Sequence, residues 1–171
     1  MKFKFFYILV VMALPFLTST ANASLILGTG TGSLIGGDLT DPENDGNPSD
    51  YINYNATFRA SVESGFNYHE GAFNVFDNLL TSGNGKWCCD AGNVWVEADF
   101  GTDRYILDMF TLSSANDAAY RDSDKWSILG SNDGINYTAL FSYDVNRVSI
   151  WNQRHQVVKF SNGDDYNINT A

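Results

Sequence analysis

Apolar and polar residues alternate along several short segments of the chain. Between residues 94 and 100 the apolar positions Val94, Val96, Ala98 and Phe100 fall on one face of an extended segment, with polar positions and Trp95 on the other. Alternation of this kind predicts a half-buried β-strand. Similar patterns predict strands at residues 25–27, 55–62, 104–114, 125–131, 137–143 and 155–161. The pattern in 104–114 is disturbed midway, as a β-bulge would disturb it.

No segment after the first 23 residues keeps a helical period of 3.6, and turn residues separate the alternating segments. Several short strands with turn signals between them are typical of an all-β sandwich or barrel. The sequence therefore predicts an all-β fold.

A hairpin is predicted in the stretch KWSILGSNDGINYTAL, residues 125–140. Asp133-Gly134 supplies the positive φ that a tight hairpin turn requires. Trp126 and Ile128 share one strand face, so both are expected to point into the core. Tyr137 begins the return strand and is expected to close the core above them.

The N-terminus resembles an export signal. Lys2 and Lys4 precede a short apolar run, and Ala21-Asn22-Ala23 forms a small-x-small cleavage site before Ser24. The apolar run is shorter than the ~20 residues that span a bilayer, although an uncleaved anchor is the alternative. We therefore expect a signal peptide at 1–23, a Gly- and Asp-rich irregular arm at 24–52, one domain at 53–171 and no membrane span after cleavage.

The formal net charge is −10 at pH 7, and removal of the two signal lysines makes the mature chain more acidic. Such a chain repels nucleic acid and anionic lipid, which are therefore poor partners. An exported acidic chain is expected to be secreted or to lie at the cell surface.

The two cysteines are adjacent, at Cys88 and Cys89. Exported proteins favour disulfides, but neighbouring Cα atoms only ~3.8 Å apart make a vicinal bridge strained. A buried or strained pair in a loop, pairing with another chain and a redox role all stay open. No CxxC or HxxxH spacing indicates zinc.

Three segments together resemble a known family. They are EGAFNVFDN at 70–78, VWVEADFG at 94–101 and FTLSSANDAAYRDSDKWSILGSNDGINYTAL at 110–140. This order is similar to the discoidin domain, also called the coagulation factor five/eight type C domain. The matching residues are Trp95, Asp99, Phe100, Gly101, Trp126, Ile128, Ser131, Asp133, Gly134 and Tyr137.

The resemblance implies a galactose-binding-like jelly-roll β-sandwich. The loop NDAAYRDSDKW and the later WNQR are similar to a bacterial exported subset of the family. The chain ends at Ala171, about where the final strand of such a domain would begin. We expect either that the sequence is a fragment of a longer chain or that the sandwich lacks its last strand.

The family often holds a structural calcium in its first loop, which here implies Asp77, with Asn74 and Asn78 nearby. Gly85 replaces the threonine that the family usually has two residues before Trp87. The alternative role for Asp77 is an Asx turn within its own loop.

A second acidic cluster is independent of the resemblance and contains Asp41, Glu43 and Asp45. Its spacing partly imitates an EF-hand loop, but Ile52 stands where the bidentate glutamate belongs. It is a weaker calcium candidate, with a solvated acidic turn as the alternative.

The resemblance also implies that loops at one end of the sandwich bind the ligand. Sugars suit such loops because an aromatic ring stacks on the sugar while polar groups bind its hydroxyls. The candidates are Tyr68, His69 and Glu70 in the first loop, Trp151, Arg154 and His155 in the last, and Trp87.

Core packing and ion pairing are the structural alternatives to ligand binding for these residues. Trp87, Trp95 and Trp126 are expected in the core, whereas Trp151 suits either the core or a ligand. Arg121 is expected to form an ion pair in its loop.

The sequence offers no pattern for catalysis. Neither His69 nor His155 lies in a nucleophile-elbow or zinc motif, and no carboxylate spacing singles out an acid–base pair. We predict a non-catalytic module without a required cofactor that binds carbohydrate or another surface macromolecule. The alternatives are a structural or adhesion protein of the cell envelope or matrix and, less favoured, a small secreted hydrolase.

Overall fold

The computed structural model describes residues 25–36, 39–40, 56–63, 69–81, 83–88, 93–144 and 149–161. Seven strands occur in this part of the chain, together with three short 3₁₀ turns. The signal peptide, most of the predicted arm, Tyr68, Cys89 and the acidic cluster of Asp41, Glu43 and Asp45 lie outside the described residues. The chain is all-β in the part that is described.

The strands form three small antiparallel sheets. They are β1 Leu25–Thr29, β2 Thr57–Ala60, β3 Val96–Asp99, β4 Met109–Ser113, β5 Lys125–Gly130, β6 Thr138–Asp144 and β7 Gln156–Ser161. One sheet has the order β1-β7-β4, a second pairs β2 with β3, and a third pairs β5 with β6. The 3₁₀ turns span Thr31–Ser33, Ala72–Val75 and Ala119–Arg121. No helix in the described part is long and apolar enough to cross a membrane.

The central strand β7 is the most deeply buried element. It lies between β1 and β4, and Val157, Val158 and Phe160 are fully buried. Apolar residues occupy three of its six positions, and the polar Gln156 is buried with them. The predicted edge strand at residues 25–27 is confirmed as β1, which pairs with β7 on one side.

An aromatic cluster joins the three-stranded sheet to the β5–β6 hairpin. Phe110 stacks on Phe160, and both rings contact Trp126 of β5 edge to face at 5.7 and 5.1 Å between centroids. The rings of this cluster belong to Phe110, Trp126, Phe141, Tyr143 and Phe160. Aromatic rings bury large areas and prefer offset or edge-to-face contacts, so the cluster holds the two sheets together.

The hairpin is confirmed, with one correction. Trp126 and Ile128 are half-buried on one face of β5, opposite Tyr143 and Phe141. Gly134 has the positive φ of 68° that the turn needs. Tyr137 does not close the core: it is 44% exposed, and its hydroxyl donates to Glu97 Oε2 at 2.7 Å. The connection runs over residues 131–137, so Tyr137 precedes the return strand instead of opening it.

The predicted strand at 104–114 is shorter than expected. β4 begins at Met109, and residues 103–108 form no strand. The Arg104 guanidinium instead donates to the carbonyl oxygens of Gly101, Asp103 and Asn132. These bonds fold the segment into a loop, and a loop replaces the bulge that the disturbed pattern suggested.

Of the three tryptophans expected in the core, one is exposed and another is half-buried outside the aromatic cluster. Trp95 is 48% exposed and lies under the Arg59 guanidinium, 5.9 Å from its ring centroid. Trp87 is half-buried, and its Nε1 donates to the carbonyl oxygen of Val62 at 2.9 Å. Only Trp126 belongs to the aromatic cluster.

Candidate functional site

Three loop segments meet at one end of the molecule, which we call the loop end. They are residues 69–88 except 82, residues 114–124 between β4 and β5, and residues 149–155 before β7. The hydroxyl of Ser114 donates to the carbonyl oxygen of Gln153, and Gln156 Nε2 donates to that of Ile150. These bonds hold the last loop against the segment that follows β4.

Arg154 is engaged by the loop between β4 and β5. Its guanidinium forms a bidentate pair with Asp122, with 2.9 Å between Nη1 and Oδ1, and Nη1 also donates to the carbonyl oxygen of Asp117 at 3.1 Å. The hydrogen bonds to Asp122 raise the pKa of Arg154. Bidentate geometry fixes a guanidinium in place, so these contacts favour a positioning role for Arg154.

Trp151 and His155 flank Arg154 in the same loop. The Trp151 ring is half-buried against the core, and its Nε1 donates to the carbonyl oxygen of Ser123 at 3.0 Å. His155 has a positive φ of 54°, and its carbonyl oxygen accepts the amide of Gly30 at 2.8 Å. Trp151 therefore lies between the core and the loop end. The backbone of His155 joins the loop to Gly30, which directly follows β1.

The first loop is closed by Asn74. Its Nδ2 donates to the carbonyl oxygens of His69, Asn84 and Lys86 at 2.9, 3.2 and 2.9 Å. His69 is exposed, and its neighbour Glu70 is buried. The structure therefore brings His69 and Arg154 to the same end of the fold by way of the residues that connect the two loops.

Lys86 connects the first loop to the loop after β4. Its Nζ lies 3.2 Å from Glu70 Oε1 and 2.9 Å from Asp117 Oδ2, and its side chain is 10% exposed. Burial lowers the pKa of Lys86, but hydrogen bonds to Asp117 and Glu70 outweigh that effect and raise it. The same bond from Lys86 lowers the pKa of Asp117. Both shifts favour the charged forms of Lys86 and Asp117.

Asp77 is buried, and its Oδ1 accepts the amide of Leu79 at 3.0 Å, which is an Asx-turn contact. Asn78 follows with a positive φ of 51°. Among the described residues, no three His, Cys, Asp or Glu side chains come together as a metal site. The Asx turn is confirmed, and calcium at Asp77 and Asn78 stays a prediction.

Cys88 lies beside Arg121 at the loop end. Its Sγ is 3.1 Å from Arg121 Nη1, and its amide donates to the carbonyl oxygen of Glu70. Arg121 also lies 3.9 Å from Asp117 Oδ1, which is the loop ion pair expected from the sequence. Cys89, the other residue of the predicted vicinal pair, lies outside the described residues.

Tyr120 is the surface residue that sequence reasoning missed. It lies on the Ala119–Arg121 turn, is 88% exposed and has the Arg121 guanidinium 5.8 Å from its ring centroid. Ala118 enters this turn with a positive φ of 47°. The one available signal was an isolated aromatic residue within the polar stretch NDAAYRDSD.

A groove of about 390 Å³ lies between β2 and the Ala72–Val75 turn of the first loop. Its walls include Phe58, Glu63 and Phe73. Glu63 Oε1 accepts a hydrogen bond from the amide of Ala72 at 3.0 Å, so this carboxylate is bound to the start of the turn.

Comparisons with protein-family models, with curated proteins and with solved structures found no match for this chain.

Proposed function

We propose that the chain is an exported, non-catalytic binding module whose loop end binds carbohydrate. The proposal rests on the exposed ring of Tyr120. Ion pairs from two other loops hold the turn on which Tyr120 lies. Arg154 holds the loop through Asp122, and Lys86 holds it through Asp117. An exposed aromatic ring on such a turn can stack on the apolar face of a pyranose.

Polar groups beside the ring suit the hydroxyls of a sugar. Asp117 is half exposed and is oriented by Lys86, and the Arg121 guanidinium lies next to the Tyr120 ring. A carboxylate accepts hydrogen bonds and a guanidinium donates them, so together they can bind neighbouring hydroxyls. On this proposal Tyr120, Asp117 and Arg121 contact the sugar, while Arg154 and Trp151 position the loop.

We extend the proposal to the fold family. On this proposal the two sheets that meet at the aromatic cluster are the layers of a discoidin-type jelly roll. The resemblance of residues 70–78, 94–101 and 110–140 to that family supports this proposal, as does the grouping of the first and last loops at one end. The module requires no cofactor on this proposal.

Affinity electrophoresis in gels that contain polysaccharides, together with a glycan array, tests the proposal. We expect native protein to be retained and Tyr120→Ala to lose about tenfold in affinity, because aromatic stacking contributes roughly 0.5–1.5 kcal/mol beyond area burial. Tyr105→Ala is the matched control, since Tyr105 is half exposed and lies outside the loop end. Folded native protein that binds no glycan, or equal losses in both variants, would contradict the proposal.

A second function is favoured by a different observation. Ile106 and Ile135 are 91% and 80% exposed on neighbouring loops, which a bond from Arg104 Nη2 to the carbonyl oxygen of Asn132 connects. Exposed apolar residues of this kind fit an adhesion or structural protein that contacts another macromolecule. If Ile135→Ser abolishes cell or matrix adhesion while Tyr120→Ala does not, this alternative replaces the lectin proposal.

A further inference from the structure

Four oxygen atoms surround the ammonium group of Lys86. They are Glu70 Oε1 at 3.2 Å, Asp117 Oδ2 at 2.9 Å, Asn116 Oδ1 at 2.9 Å and the carbonyl oxygen of Gly83 at 3.4 Å. The Glu70 side chain is 7% exposed and that of Lys86 is 10% exposed, whereas that of Asp117 is 52% exposed, so the ammonium group is largely buried while one of its carboxylate partners reaches the solvent.

The chemistry of these oxygens is that of a hard-cation site. Two carboxylates, one side-chain amide and one backbone carbonyl are the ligand types that Ca²⁺ uses in proteins. The distances from Lys86 Nζ exceed the 2.3–2.6 Å typical of calcium–oxygen bonds and suit ammonium hydrogen bonds. The ammonium group therefore occupies the position that a metal ion would take.

The oxygens are held by bonds that do not involve the Lys86 side chain. Asn116 Nδ2 donates to the carbonyl oxygen of Gly83 at 3.2 Å, which joins two of the four ligands directly. The Cys88 amide donates to the carbonyl oxygen of Glu70 at 3.1 Å. Asn74 Nδ2 donates to the backbone carbonyl oxygens of Asn84 and Lys86. A shorter side chain at position 86 would therefore leave Gly83, Asn116 and the backbone of Glu70 held by these bonds.

We propose that these four oxygens form a cation site which the native chain fills with its own lysine. Lys86 thereby joins the first loop to the loop after β4 without a metal ion. Truncation of Lys86 leaves two carboxylates facing a space that a hard divalent cation can enter with water as the remaining ligands. The inference does not depend on carbohydrate binding.

The test compares the calcium response of Lys86→Ala with that of native protein. We expect Lys86→Ala to unfold at a lower temperature in EDTA, because Glu70 and Asp117 then lose their bonds to the ammonium group. Millimolar Ca²⁺ should raise its Tm by several °C more than it raises the native Tm, since a ligand that binds the folded state stabilises it. Mg²⁺ should act more weakly because it demands octahedral geometry.

Two controls separate a site from general charge effects. Lys125→Ala removes an exposed lysine that pairs with Asp144 and should gain no calcium response. Lys86→Ala combined with Glu70→Gln should lose the gained response, because a carboxylate ligand is absent. The native comparison also separates this site from calcium at Asp77, which would act equally on native protein and on Lys86→Ala.

Equal calcium shifts in native protein and Lys86→Ala would overturn the proposal, as would the same gain from NaCl at equal ionic strength. If Lys86→Ala folds neither with nor without Ca²⁺, Lys86→Gln replaces it because glutamine keeps most of the chain length and its hydrogen-bond donors. Terbium luminescence excited through the neighbouring Trp87 then reports binding. A signal no greater than that of native protein would equally overturn the proposal.

Discussion

The aromatic cluster and the loop end are stabilised in different ways. The cluster joins two sheets through ring contacts around the fully buried Phe160. The loop end contains few buried apolar groups, and Lys86 and Arg154 hold it through ion pairs and backbone carbonyls. The cluster is stabilised by the burial of apolar area, whereas the loop end is stabilised by oriented hydrogen bonds and ion pairs.

The difference has a consequence for function. Apolar packing is non-directional and tolerates substitutions that conserve volume. A hydrogen-bonded network holds the turn that carries Tyr120 in place, and the network is weakened when one partner is lost. The cluster therefore stabilises the fold, and the loop end positions the surface proposed to bind a ligand.

The largest effect is expected in the cluster. Phe160→Ala should lower the free energy of unfolding by about 3–5 kcal/mol, because it removes a fully buried ring and leaves a cavity. Urea unfolding measures the change. Ile135→Ala is the control, since its side chain is 80% exposed, and it should change stability by less than about 0.5 kcal/mol. Similar losses in both variants would contradict the central place of the cluster.

Trp151 lies where the two regions meet, and its replacement shows which of them it serves. We expect Trp151→Ala to cost about 2 kcal/mol, because a half-buried ring that packs on the core is lost together with its bond to Ser123. Trp151→Phe should recover part of the loss. An unchanged melting temperature with weaker glycan binding would instead make Trp151 a ligand-binding residue.

Breaking the pair of Arg154 and Asp122 should have a smaller effect on stability. Asp122→Ala leaves a half-buried guanidinium without its carboxylate and should cost about 1–2 kcal/mol. Asp144→Ala removes the partner of the exposed Lys125 and should cost less than about 1 kcal/mol. If chemical denaturation shows the reverse order, the bidentate pair does not hold the loop.

Acid should weaken the loop end before the cluster, with the smallest effect on global stability. Lys86 lowers the pKa of Asp117. A lowered carboxyl pKa adds stability above the unfolded value of about 3.9, and that stability is lost as pH falls through the folded pKa. Below about pH 4, amide exchange at residues 114–124 should therefore accelerate more than exchange in β7. Equal acceleration in both segments would contradict a separate role for the network.

The strands were predictable because alternation is a local property. β3, β5, β6 and β7 lie within the segments whose apolar residues recur at every second position or in a short run. Local pattern failed at Arg104, whose bonds to distant carbonyl oxygens turned a predicted strand into a loop. Trp95 was expected in the core because tryptophan is usually buried, although the alternation places it on the polar face, where it lies beneath Arg59.

The sequence by itself determined the all-β class, the hairpin around Gly134 and the loops in which candidate binding residues would be sought. Each follows from neighbouring residues, whose side chains alternate between faces or whose backbone needs a positive φ. Only the tertiary structure decided that Lys86 meets Asp117, that Arg154 meets Asp122 and that Tyr120 faces the solvent between them. These contacts join residues about 30 positions apart, and their geometry exists only once the sheets have packed and brought the loops together.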